Sequence, residues 1–175
     1  LTKSLEKYFL TMYIIKLDAT NSTNDYLKEL VKNQVLENFT IVVAKEQLKG
    51  RGQREAKWQS DGGKNLTVSI LIKNIHLKSS GLFTFNIAIA LAVNATINHF
   101  TNKKTAVKWP NDIMADNHKI AGILIENSIQ NFEEFYSIVG IGLNVNQIIF
   151  ENLPKVTSLQ LLENKFFDLD EVLFV

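Results

Sequence analysis

Between Thr105 and Leu143 the sequence lays down one strand-like run after another with little chain between them, and this restricts the fold more than any other feature. Thr105 to Trp109 and Lys119 to Glu126 are β-prone, and Phe135 to Leu143 is a near-continuous apolar run of the kind a central strand buries on both faces. A turn at Asp116-Asn117 and the short spacers leave two hairpin-like pairs, Asp112 to Glu126 and Lys119 to Leu143. A parallel crossover needs a dozen or more residues, so such neighbours pair antiparallel. The expected class is α+β, a mixed and largely antiparallel sheet packed with helices, rather than a doubly wound parallel sheet.

The remaining elements fit that class. Tyr13 to Asp18 reads as a strand, and Ser22-Thr23-Asn24-Asp25 opens a helix to about Lys32, with a hydroxyl at the cap and Asp25 three residues after Ser22. Thr40 to Ala44 and Leu66 to Ile72 read as strands. Leu82 to His99 reads as a buried helix. It is apolar enough to suggest a membrane span, but Thr84, Asn86, Asn94, Thr96 and Asn98 interrupt it and no anchors flank it. Past Pro154, Ser158 to Leu162 and Asp168 to Val175 suggest two short helices. With 175 residues at 46% hydrophobic, one domain is expected. Residues 12–150 form its body, and residues 1–11 are a candidate upstream extension, because Met12 stands directly before the first strand.

Several function classes recede on composition. Nineteen Lys plus Arg against eighteen Asp plus Glu leave a net charge of +1, so no global field favours nucleic acid or an anionic membrane. There is no cysteine, which removes thiolate catalysis and Cys-ligated metals, and His76, His99 and His118 lack ligand spacing, so no metal site is expected. No cleavable leader is read at the N-terminus, and the expected compartment is the cytoplasm.

Any anion must then be met locally. Lys108-Trp109-Pro110-Asn111-Asp112 puts a cation, a large aromatic, a rigid Pro and two polar side chains at a strand end, which reads as a site, with Trp109 packing to fix the lysine. The stretch 45–64 has no apolar periodicity and is long for a loop in a small domain, a usual mark of function or disorder. Within it, Gly50-Arg51-Gly52-Gln53-Arg54 is either an anion clamp, with backbone N–H groups and a guanidinium converging, or a flexible turn. Trp58 needs either the core or a flat ligand such as adenine. Ser22-Thr23-Asn24 serves as a helix cap and offers hydroxyls to a polar head group. Gly122, inside a strand, marks a ligand's close approach or a bulge. Asn144 and Asn146, after Gly140-Ile141-Gly142, are turn residues or nucleotide contacts, and the missing third glycine argues against a dinucleotide fingerprint.

Taken in order, Ser22-Thr23-Asn24, Gln47, Gly50-Arg51-Gly52, Trp58, Lys108 to Asp112, Lys119 with Ala121-Gly122, and Gly142-Leu143-Asn144 resemble the catalytic domain of biotin protein ligases, also called biotin–[acetyl-CoA-carboxylase] ligases. The resemblance spans about residues 12 to 150. It implies the class II synthetase-like fold of biotin and lipoate ligases. It also implies activation of biotin by ATP, with Mg²⁺, to biotinyl-5′-AMP, and transfer to a lysine of a biotin carboxyl carrier protein.

By that resemblance Lys108 and Arg51 are catalytic, Lys108 at the carboxylate and α-phosphate and Arg51 in the loop that closes over the intermediate. Ser22, Thr23, Asn24, Gln47, Gly50, Arg51, Gly52, Gln53, Lys108 and Gly122 hold biotin; Trp58, Asn111, Asn144 and Arg54 meet ATP. The chain departs from the family pattern where Gln53 stands for a second Arg and Glu55 follows Arg54, beside an anion site. Residues 151–175 match the lead-in to a C-terminal β-barrel domain that is absent here, and no winged helix is read ahead of residue 12, so no repressor function is expected. Two rivals stay open: a lipoate or octanoate ligase of the same fold, and a truncated biotin-binding domain with little turnover. Monomer and homodimer are both open.

Overall fold

The computed structural model describes residues 13–73, 79–130 and 134–175. The candidate extension at 1–11 lies outside the described residues, as does the side chain of Glu55. Along the chain run β1 (Ile14–Thr20), α1 (Thr23–Asn33), β2 (Ile41–Gln47), β3 (Leu66–Lys73), α2 (Ser79–Phe100), β4 (Thr105–Lys108), β5 (Asp112–Ala115), β6 (His118–Gln130), β7 (Glu134–Leu143), α3 (Leu159–Glu163) and α4 (Leu169–Leu173). The strands form one seven-stranded sheet in the order β1-β2-β3-β7-β6-β5-β4, with β7 at its centre. Among these pairs only β1 and β2 are parallel, joined by the α1 crossover; the other five are antiparallel. Asp116 and Asn117 both take positive φ, the geometry of a tight turn matched to strand twist, and so join β5 to β6.

Alternation along the strands separates two faces. On β3, Leu66 and Val68 enter the larger core with Ile41, Val139 and Leu143, while Leu71 enters a second core with Val42, Ile138 and the α1 residues Leu27 and Val31. Helix α1 therefore covers one face, and α2 with α3 and α4 covers the other. Ser22 caps α1 by accepting from the Asp25 N–H, and the helix ends where Gln34 returns its N–H to Leu30. Thr67 and Ser69 are the buried polar residues of β3, both on the α1 face.

Helix α2 is not the buried helix expected. It buries one stripe, Ala90, Val93 and Ile97, while Phe83 and Leu91 are more than half exposed. Its contacts are mainly with the short strands β4 and β5, which are too narrow a platform to cover a helix of 22 residues. Trp109 also differs from expectation: it is 53% exposed and its ring meets Phe83, 5.2 Å between centroids, so it packs on the surface rather than clamping Lys108 from inside.

Residues 151–175 are built into the same core. Leu159, Phe167 and Val172 join the larger cluster, Val156 bridges to Lys119, and the Asn146 side chain donates to Phe167 O and accepts from Phe167 N, at 2.8 and 3.0 Å.

Candidate active site

The three central strands set two levels along the α1 face. At the first, Ser69 of β3, Gly140 of β7 and Leu124 of β6 stand side by side; at the second, Thr67, Gly142 and Gly122 do. Strand rise separates the levels by about 7 Å.

The first level is a polar cluster. A Cβ on Gly140 would collide with the Asn24 amide, so glycine there is what lets the start of α1 press onto the sheet. Ser69 Oγ donates to Asn24 Oδ1 at 2.6 Å and lies 2.7 Å from Thr23 Oγ1. The Thr23 N–H and hydroxyl both donate to Gln47 Oε1, at 2.8 and 3.1 Å, leaving the Gln47 amide NH₂ among the cavity-lining groups. Asn24 donates onward to Glu126 Oε2 at 2.8 Å and to Leu124 O at 3.3 Å. Its amide is thus spent on protein partners, and Asn24 shapes this end more than it offers to a ligand.

The second level receives Trp58. The loop after β2 folds into a small hairpin, with Arg51 bridged to Lys57, Gly52 N–H bonded to Ala56 O at 2.6 Å and Trp58 N–H to Gly50 O at 3.0 Å. Gly50 has no room for a Cβ beside the Trp58 carbonyl. The hairpin lays the indole against the sheet: a Cβ on Gly142 would overlap the ring, and one on Gly122 would come within 3.1 Å of it. Trp58 Nε1 is buried without a hydrogen-bond partner.

Lys119 faces this level. Asp112 and Ile113 of β5 pair with Gly122 and Ala121, but Met114 pairs with Lys119, so β6 carries an extra residue at Ile120. Both Ile120 and Ala121 enter the core as a result, and the bulge turns Lys119 to the cavity face. Its ammonium sits 2.7 Å from Asp112 Oδ1 and 5.7 Å from the Trp58 ring centroid.

Most of the residues singled out from the sequence line this one cavity: the start of α1, Gln47, the hairpin from Arg51 to Arg54, Trp58, Asn111 and Gly122. Three do not. Gly50 shapes the hairpin instead. Lys108 is at the end of the edge strand β4, its side chain 65% exposed against 32% for Lys119, and it reaches only to 3.8 Å from Asp112. Asn144 is buried, donates to Thr157 O at 3.0 Å, and takes its backbone N–H to Ile120 O, tying the end of β7 to the segment after it. Asn144→Ala would strand the buried Thr157 carbonyl and is expected to cost about 1–3 kcal/mol in urea unfolding. A raised ATP KM at unchanged stability would instead make Asn144 a nucleotide contact.

The sequence singles out neither Thr67, Ser69 nor Glu126 as site residues, and it gives Lys119 no role beyond its place in the family resemblance. A period-two polar pattern inside central strands was their only sequence signal. Arg51 lines the cavity, yet its guanidinium is held by Asp25 and by Glu126 Oε2 at 3.0 Å. Burial works to raise the Glu126 carboxyl pKa, but hydrogen bonds from Lys28 and Asn24 and the charges of Lys28 and Arg51 outweigh it and hold the group below its ordinary value. Among the described residues no three His, Asp or Glu side chains converge as a metal site would require.

A mixed sheet whose cavity is polar at one end, walled by glycine and indole and flanked by a lysine has the form of a small-molecule-binding domain. The sequence model of the biotin/lipoate A/B protein ligase family matches residues 17–144, and the chain belongs to that family. It is 33% identical over 144 residues to the bifunctional ligase/repressor BirA of Bacillus subtilis, covering 82% of this chain and 43% of that protein. A biotin–[acetyl-CoA-carboxylase] ligase of Mycobacterium tuberculosis is 29% identical over 143 residues, covering 80% and 52%. Among solved structures, a biotin protein ligase from Aquifex aeolicus in complex with biotin and ATP superposes with a TM-score of 0.78 at 32% identity, over 92% of this chain and 65% of that one. A Leishmania major biotin protein ligase in complex with biotinyl-5-AMP gives 0.75 at 25% identity, over 92% and 70%. The chain thus spans about half the length of these sequence relatives.

Proposed function

We propose that this chain joins biotin to ATP, releasing pyrophosphate, and passes the biotinyl group to a lysine of a biotin carboxyl carrier protein. The observation that carries this reading is the bulge that aims Lys119 into a cavity whose other end is polar. A carboxylate oxygen attacking an α-phosphate is opposed by like charge until a cation stands between them, and further charge spreads over the phosphoryl oxygens as pyrophosphate departs. Lys119 is that cation. Asp112 holds it in place, and Trp58 packs beside it and keeps water off the mixed anhydride.

Thr23, Gln47 and Ser22 take the polar ureido head, and the apolar ring and tail lie along the indole that Trp58 lays over Gly122 and Gly142. Asn111 and Arg54 are left for the nucleotide. Magnesium would accompany ATP and would supply charge neutralisation at its phosphates. In the second step the acceptor lysine amine attacks the acyl carbon and AMP leaves.

Exchange of labelled pyrophosphate into ATP tests the first step. Exchange that requires biotin and is not supported by lipoate is the expected result. Exchange with lipoate alone would turn the reading to the other acid named in the family, and biotin binding without exchange would leave a binding domain.

A further inference from the structure

Glu126 has more partners than a residue at the margin of a cavity needs. It accepts from Asn24 at 2.8 Å, pairs with Lys28 one turn further along α1, and accepts from Arg51 Nη2 at 3.0 and 3.2 Å. Asn24 in turn accepts from Ser69, which lies beside Thr23, which donates to Gln47. A single chain of hydrogen bonds therefore runs from the polar end of the cavity to the hairpin 50–58 that carries Trp58. We propose that Glu126 is a positioning residue: through Arg51 it pins that hairpin over the cavity and so fixes Trp58 where substrate must pack.

Two observations favour Glu126 over Asp25 as the anchor. Its side chain is 20% exposed against 50% for Asp25, so its bond to Arg51 is less screened by water. It also comes from β6, where it pairs with Ile138 of the central strand β7, whereas Asp25 stands in the first turn of α1. Among the described residues the hairpin has no equivalent side-chain tie to the sheet beyond Trp58 itself. Arg51 is thereby a strut rather than a free guanidinium, which its place in a Gly-Arg-Gly triplet does not reveal.

The inference uses the ligase reading only for what the hairpin covers. Glu126→Gln keeps size and the acceptor for Asn24 but removes the charge that holds Arg51. Trypsin cleavage after Lys49, Arg51, Arg54 or Lys57, mapped by mass, is expected to quicken about tenfold in the ligand-free variant, the scale of one lost charge-assisted bond. In the exchange assay biotin KM is expected to rise about tenfold with kcat within about threefold, since only positioning has changed. Asp25→Asn should loosen the hairpin less. Unchanged cleavage, or faster cleavage with unchanged KM, overturns the proposal. Should the wild-type chain show no biotin-dependent exchange, the ligase reading falls, and the cleavage comparison still decides whether Glu126 holds the hairpin.

Discussion

Replacing Lys119 by Ala is expected to lower biotin-dependent pyrophosphate exchange by about a hundred- to a thousandfold, the usual cost of removing one preorganised donor from a developing anion. Lys108→Ala should stay within about threefold of wild type, because an exposed cation at 3.8 Å from its nearest carboxylate adds little in water. The two lysines are alike in sequence: both stand at a strand end, and both lie near small or polar residues. They differ in which strand carries them. Lys108 ends β4, the last strand of the sheet, while Lys119 opens β6, next but one to β3 across the central β7. Asp112 lies between them and is nearer to Lys119. Loss of activity on removing Lys108, with Lys119→Ala left near normal, would return the role to the residue that the family resemblance suggests. Asp112→Asn should fall between the two, since it leaves Lys119 in the cavity without its carboxylate.

The ambiguity between the lysines shows where reading the sequence stops. Strand existence, the antiparallel hairpins and the central place of 135–143 follow from apolar runs and turn residues, and the sheet bears these out. The direction of Lys119 follows from a bulge at Ile120, and no residue type there announces it; by strict alternation from Gly122 it would have faced the core. Helix α2 misled for the opposite reason. Its apolar residues surround the whole circumference, so the sequence suggests burial on all sides, while its main contacts with the sheet are to the short strands β4 and β5. The polar face of β3 was legible in principle, because Thr67 and Ser69 recur at period two inside an apolar run, and such residues are buried only with partners. Glu126 lies on the same face by the same count from Gly122 and Leu124.

Gly142 provides the second large effect. Its α-carbon faces the Trp58 indole so closely that a methyl carbon would collide with the ring, and β7 cannot move aside, being hydrogen-bonded to β3 and β6 along its length. In Gly142→Ala the indole must therefore leave the sheet. The ring gives up apolar contact on leaving, a loss partly offset because Nε1 has no partner to lose and gains water outside. The cost falls on the cavity, which loses one wall and the aromatic face beside Lys119. In a Trp109→Phe background, which leaves Trp58 as the only tryptophan, emission is expected to shift to the red and biotin KM to rise about tenfold or more, with overpacking losses of about 1–3 kcal/mol as the upper bound on stability. Gly122→Ala makes the sharper control. Its methyl would meet Trp58 at 3.1 Å and the flexible end of Lys119 at 3.4 Å, contacts that small shifts relieve, so its KM should rise no more than about threefold. Equal effects at the two glycines would mean that the indole does not rest on this floor, and that the hairpin holds Trp58 somewhere else when the protein is free in solution.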